Sequence, residues 1–197
     1  EELQAELNLP TLATIGILDE EEEFEDGVGL ETKHMWNTSD DAAAESFRTI
    51  RTVLVMGTED SERIAVTSAE PSDGKTTISS NLAIAYQQAG KRVLIIDADM
   101  RKPGLTKLID RRGQIGLSDI LRGTEEVAEQ ATSLAHQTGS VPIDIIPAGR
   151  RPPNPGELLL GDRFAELLAW ADGEYDQVIV DAPPVLAGTD AAAVGRL

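Results

Sequence analysis

The sequence predicts an α/β protein, a mostly parallel central sheet flanked by helices, with an extended arm at its N-terminus. From about residue 41 onward, short apolar runs alternate with stretches of helical periodicity, the pattern of strand–helix–strand units. The runs are apolar almost without interruption, as strands become when helices cover both faces of a sheet. One run leads through a glycine-containing loop straight into a helical stretch, the layout of a phosphate-binding turn. The 197 residues favour one such domain with an attached arm over two full domains.

Residues 1–40 read as arm and linker, and 41–197 as the domain. The stretch 9–18, Leu-Pro-Thr-Leu-Ala-Thr-Ile-Gly-Ile-Leu, is apolar enough to dock in extended form. It is followed by Asp19-Glu20-Glu21-Glu22-Glu23-Phe24-Glu25-Asp26, a run that repels itself and reads as a solvated linker, with docking on a basic partner surface as the functional alternative. Asp40-Asp41 offers an N-cap for a helix continuing to residue 54. Strands are expected at 63–68, 92–97, 143–147 and 177–181. Helices are expected at 76–89, closed by Gly90 at its C′ position, at 116–121, and at 162–171. No internal repeat is present.

Composition narrows the function classes. A formal net charge of -18 argues against gripping nucleic acid or anionic lipid by bulk electrostatics. No run approaches the roughly 18–20 apolar residues of a membrane-spanning helix, and the first ten residues do not resemble a signal peptide. Without cysteine there is no disulfide framework and no thiolate metal site.

The chemistry concentrates at Ala69-Glu70-Pro71-Ser72-Asp73-Gly74-Lys75-Thr76-Thr77, between an expected strand and an expected helix. Phosphate needs several convergent N–H donors, and a turn opening a helix supplies them with the positive end of the helix dipole. Ser72, Asp73, Gly74, Lys75, Thr76 and Thr77 are the candidate nucleotide-binding residues. Gly74 lets backbone approach, Lys75 can reach the β- and γ-phosphates, and the Thr76 hydroxyl can bind Mg²⁺. Ala69 stands where G-x-x-x-x-G-K-[ST] has its first glycine. Two expected strands then end in carboxylates, Asp97 with Asp99 and Asp181. In open α/β sheets, ligands bind at the carboxyl ends of strands. Mg²⁺ takes oxygen ligands and keeps waters, so Thr76 with one or two aspartates suffices, leaving a carboxylate to orient or deprotonate an acceptor. Any one aspartate alone would read as a turn or cap. Arg101 and Lys102 could face phosphate, pair with these carboxylates or lie in a solvated turn.

Taken together, the loop, Ile96-Asp97-Ala98-Asp99-Met100-Arg101-Lys102-Pro103 and Ile179-Val180-Asp181-Ala182-Pro183-Pro184 resemble the deviant-Walker branch of the P-loop NTPases. Within it, the chain is similar to the bacterial tyrosine kinases that regulate export of capsular and other exopolysaccharides. Glu45-Ser46-Phe47-Arg48-Thr49-Ile50-Arg51 resembles their E-x-x-R-x-x-R oligomerisation motif. Pro152-Pro153-Asn154-Pro155-Gly156-Glu157-Leu158-Leu159 resembles their P-P-N-P-x-E-L-L segment, and Leu9-Pro10-Thr11-Leu12 with Ile15-Gly16 their interdomain linker. The resemblance implies an ATP- and Mg²⁺-dependent tyrosine autokinase in which Lys75, Asp97 and Asp99 are catalytic. It further implies Thr76, Asp99 and Asp181 at the metal, and Asp97 as base toward the tyrosine hydroxyl. It implies a homo-oligomer, a ring, joined through Glu45, Arg48 and Arg51. It also implies a membrane activator domain or subunit of the polysaccharide co-polymerase type, and a place in the cytoplasm at the inner face of the bacterial cell membrane. From spacing alone, Glu45, Arg48 and Arg51 share one helix face and could equally pair within it.

Two departures qualify the resemblance. The family's tyrosine-rich tail is absent, since the chain has only Tyr86 and Tyr175, and the sequence stops in what reads as the helix after residue 181, as a truncated domain would. The alternatives are a partition- or division-type ATPase acting as a nucleotide-dependent switch, and a catalytically silent nucleotide-binding scaffold. Glu70 stands where the partition ATPases carry their signature lysine.

Overall fold

The computed structural model describes residues 10–16, 42–57, 63–138, 141–187 and 190–195. The Asp40-Asp41 cap and the acidic linker lie outside the described residues. In chain order the elements are α1 (Ala42–Gly57), β1 (Arg63–Val66), α2 (Lys75–Gln88), β2 (Val93–Asp97), α3 (Gly104–Leu108), α4 (Leu117–Arg122), α5 (Val127–Leu134), β3 (His136–Thr138), β4 (Val141–Ile146), α6 (Pro155–Leu160), α7 (Asp162–Glu174), β5 (Gln177–Asp181) and α8 (Asp190–Val194).

The sheet runs β1-β5-β2-β4-β3. The first four strands are mutually parallel, and β3 joins the β4 edge antiparallel. Alternation along the strands divides the core. Val93, Ile95 and Ile179 face α1, α2 and α3, where Phe47, Leu82, Ile84 and Leu105 are buried, and Leu12 and Ile15 of the arm pack on this side. Leu94, Ile96, Val178 and Val180 face α4 to α8, where Leu117, Ile120, Phe164 and Leu167 are buried. Both faces of β2 and β5 are therefore dry, which is why their sequences are apolar throughout.

All four expected strands form. β4 begins two residues earlier than expected and carries Pro142, a residue that argues against a strand unless its missing N–H falls at a sheet edge or irregularity. The pairing of β4 with β3 is irregular between Gln137 and Thr138. Helix α2 stops where expected: Gly90 adopts φ 83, its N–H bonds Gln87 O, and the N–H of Lys91 bonds Tyr86 O. Among the described residues, no helix is long and apolar enough to cross a membrane.

Candidate active site

Strand order assembles the site. β5 lies between β1 and β2, so Asp181 is register partner to Val66 on one side and Asp97 on the other. The loop leaving β1 thus starts beside the carboxylates that end β2 and β5. Side chains of the loop itself hold its shape: Glu70 N–H donates to Asp73 Oδ2 at 2.7 Å, and the Ser68 hydroxyl donates to Glu70 O at 2.7 Å. The Asp73 carboxylate is thereby spent within the loop. Ser72 and Gly74 both take left-handed backbone, φ 76 and 86, free of cost only for the glycine. Gly74, Lys75, Thr76 and Thr77 line an open cleft of about 660 Å³. The first amides of α2 point there without intrahelical acceptors, at the positive end of the helix, where phosphate is best received.

Each sequence-predicted carboxylate has its own partners. Asp181 accepts from Thr76 Oγ at 2.6 Å and from Ser79 Oγ at 3.1 Å. Asp99 forms a buried ion pair with Lys75, Nζ to Oδ2 2.9 Å. The other oxygen of Asp99 accepts the N–H groups of Lys102 at 2.9 Å and Arg101 at 3.3 Å. Asp97 has no exposed surface and does not line the cleft; its Oδ2 accepts both N–H and Oγ–H of Thr106, each at 2.7 Å. Lys75 is buried among all three aspartates.

The electrostatics follow from three carboxylates facing one ammonium. Burial, then the charge of Asp181, pushes Asp97 up to about 7 against the pull of the Thr106 hydrogen bonds. Burial also raises Asp181, opposed by Lys75, Thr76 and Ser79. Burial alone would lower Lys75, but Asp181, Asp99 and Asp97 outweigh it, so its ammonium is held more firmly than usual. A divalent cation would relieve this excess of negative charge. Among the described residues no three His, Cys, Asp or Glu side chains converge on a metal position. Thr76 Oγ and Asp181 do meet, and such an incomplete shell of hard oxygens fits Mg²⁺, which takes its remaining ligands from phosphate and water.

Four site residues escaped the sequence reading. Ser79 is fully buried and ties α2 to Asp181. Thr106 is the partner of Asp97 and also accepts the N–H of Ala148 at 2.8 Å. Gly104 approaches Thr76 so closely that a Cβ would overlap its hydroxyl. Asp190, buried at the start of α8, receives Arg101, Nε to Oδ2 2.6 Å and Nη2 to Oδ1 3.3 Å. Arg101 lies on an exposed bend, one of its three expected placements, and its guanidinium pairs there with a fourth carboxylate. Only Ser79 carried a local signal, four residues after Lys75 on the same helix face.

Comparison with known proteins bears on the fold and the family. A family model described as an AAA domain matches residues 61–194. The kinase domain of the Escherichia coli tyrosine kinase ETK superposes with a TM-score of 0.84 at 35% identity, over 100% of this chain and 77% of that one. The chain belongs to the bacterial tyrosine kinases. Tyrosine-protein kinase wzc of Salmonella typhimurium is 47% identical over 158 residues, 79% of this chain but 21% of that protein, so the chain spans about a fifth of that curated relative. A cobyrinic acid a,c-diamide synthase from Mycobacterium smegmatis with bound ATP analog and magnesium shares 26% identity, with a TM-score of 0.52 over 64% of this chain and 52% of that one. The P-loop fold is a nucleotide-binding one.

Two features of this bacterial tyrosine kinase domain bear on assembly and acceptor. On α1, Arg48 bonds Glu45 within the helix at 3.2 Å, and Arg51 Nη1 donates to Ala85 O of α2 at 2.6 Å. The E-x-x-R-x-x-R face is thus engaged inside the chain. Neither tyrosine is presented for modification: Tyr86 is buried, and the half-buried Tyr175 donates its hydroxyl to Asp144 at 2.9 Å.

Proposed function

We propose that the chain is the catalytic domain of an ATP-dependent protein-tyrosine autokinase regulating polysaccharide synthesis or export, passing the γ-phosphate of ATP to tyrosines of a neighbouring subunit. The observation that carries this is the convergence of Lys75 with Asp97, Asp99 and Asp181 beside the amide-lined cleft. The loop residues 72–77 receive the phosphates, and Lys75 exchanges Asp99 for the β- and γ-phosphate oxygens. Mg²⁺ held by Thr76 and Asp181, with Asp99 near, would neutralise phosphate charge. Asp97 serves as the base toward the tyrosine hydroxyl. A phenol with a pKa of about 10 needs one at neutral pH, and a carboxyl near 7 is matched to that task. Since Asp97 is buried and does not line the cleft, this role requires the acceptor to reach it past Asp99, which does line it. The acceptor tyrosines are neither of the two in these 197 residues, in keeping with the burial of Tyr86 and the engagement of Tyr175.

Assembly as a ring through Glu45, Arg48 and Arg51, control by a membrane activator of the polysaccharide co-polymerase type, and a position at the inner face of the cell membrane complete the reading. They are supported by the family and by the motif on α1. Lys75→Met in the full-length protein abolishes phosphotyrosine formation with Mg-ATP. A wild-type full-length protein that hydrolyses ATP yet never acquires phosphotyrosine, with its activator supplied, overturns the kinase reading in favour of a nucleotide switch.

A further inference from the structure

We infer that Asp190 and Arg101 form a clamp that positions Asp99, making Asp190 a positioning residue for phosphoryl transfer although it touches neither cleft nor nucleotide loop. Asp99 has two oxygens in two kinds of contact. Oδ2 meets Lys75 at 2.9 Å, and an ammonium on a flexible stem can follow a carboxylate as it turns. Its orientation is therefore set from the other side, where Oδ1 accepts the backbone N–H groups of Arg101 and Lys102. Those two amides belong to a turn between β2 and α3, and a turn fixes a carboxylate only as well as it is fixed itself.

The guanidinium of Arg101 supplies that fixture. It meets Asp190 through Nε and Nη2, one nitrogen to each carboxylate oxygen, the two-point geometry that sets direction as well as distance. The pair is asymmetric: the Asp190 side chain is 5% exposed and that of Arg101 42% exposed. The buried partner is the anchor and the more exposed one the arm it holds. A carboxylate is buried at this cost only where it is paired. The anchor is also tied to the nucleotide loop. Val185 and Leu186, between β5 and α8, are pinned to the loop leaving β1 by Val185 N–H on Ser68 O at 2.9 Å and Leu186 N–H on Ala69 O at 3.2 Å. The clamp thus closes a circuit in which the loop that presents Lys75 and the turn that presents Asp99 are referred to one element. Loss of the clamp leaves Asp99 free to swing, so that Lys75 and the carboxylates are no longer presented together.

This inference rests on the kinase reading and is tested beside it. In the full-length protein, phosphotyrosine formation and the KM for Mg-ATP are measured for wild type, Asp190→Asn, Arg101→Gln, Arg101→Lys and the Asp190→Asn/Arg101→Gln pair, with urea midpoints for each. The expected result is a kcat lowered roughly ten-fold in Asp190→Asn and Arg101→Gln, with KM changed by no more than about three-fold, since the loop amides hold the nucleotide. Arg101→Lys, which keeps charge but loses the two-point fork, falls between wild type and Arg101→Gln. The double variant is no slower than the worse single one, as for residues acting as a unit. Arg101 is exposed enough for its variants to fold even if Asp190→Asn does not, and they alone then decide. Wild-type kcat in stable Arg101→Gln, effects that multiply in the double variant, or KM rising in step with the fall in kcat would overturn the clamp. A wild-type protein without transfer overturns the kinase reading and the clamp with it.

Discussion

Replacing Asp97 by Asn tests the electrostatics of the site in the nucleotide-free protein. The side chain keeps its shape, and its oxygen can still accept both donors of Thr106; only the charge goes. The folded carboxyl lies at about 7 against an ordinary 3.8. Between those values the folded chain holds a proton that the unfolded chain has released, so wild-type stability falls as pH rises through this window and levels off above it. At roughly 1.4 kcal/mol per pH unit the gap sets a ceiling of about 4 kcal/mol, of which about 2–3 accrues between pH 5 and pH 8. The asparagine variant does not titrate there, so its advantage over wild type grows by that amount across the same interval. Urea unfolding of both proteins at pH 5 and pH 8, without nucleotide or divalent cation, reads the difference as a shift in midpoint of roughly 1 M or more. Taking the difference between two proteins removes the background titration of the other 34 acidic residues, one fewer than the 35 in the chain. Parallel behaviour of the two proteins would mean that Asp97 is already charged at pH 5, and the repulsion argued here would be refuted.

Gly104→Ala drives the Thr76 hydroxyl away from Asp181, so affinity for Mg-ADP falls about ten-fold while affinity for ADP in excess chelator is nearly unchanged, by calorimetry. Thr106→Val removes one donor from the charged form of Asp97, moving the pH window of stability loss upward; identical urea profiles against pH would deny that the hydroxyl donates there. Arg51→Ala costs about 1–2 kcal/mol of stability through the lost bond to Ala85, whereas Arg48→Ala costs about 0.5 kcal/mol or less. If both arginines also join subunits, native mass measurement shows smaller species for each. Unchanged assembly in the double variant leaves them with their contacts inside the chain.

The parts of the fold legible in the sequence are those where one cause acts alone. β2 and β5 are apolar because both faces are covered, and nothing else competes for their residues. α3 was not legible, because five residues beginning with Gly104 have no helical pattern to show; the helix exists because Leu105 is buried and Thr106 is bound to Asp97. α5 carries a signal in Val127, Ala131 and Leu134 at helical spacing, but over only eight residues. α6 is opened by Pro155 at its first turn, a helix start visible in the segment that resembled P-P-N-P-x-E-L-L. The same division runs through the site. Asp97, Asp99 and Asp181 announce themselves only together: each alone would read as a turn or cap, but carboxylates at two strand ends in series with a phosphate-binding turn do not. Ser79 and Thr106 do not, since a serine or threonine looks the same whether it bonds its own helix or reaches across. Asp190 meets Arg101 across 89 residues of sequence, a distance over which no local pattern speaks.

The charge balance carries one more consequence for how the domain takes a nucleotide. A chain of net charge -18 opposes a polyphosphate at long range, so capture rests on what lines the cleft, where Lys102, Lys107 and Arg112 stand beside Lys75. Closest to the phosphates, on the proposed reading, would be the first amides of α2, Lys75 and a divalent cation held by Thr76 and Asp181. Lys75 cannot serve phosphate while it balances Asp99, and Asp99 cannot release it without another positive charge nearby. On the proposed reading, metal and nucleotide would therefore bind most readily together. A cation held by Thr76 and Asp181 would compensate the carboxylates as Lys75 turns from Asp99 to phosphate, so that no buried charge is left unpaired.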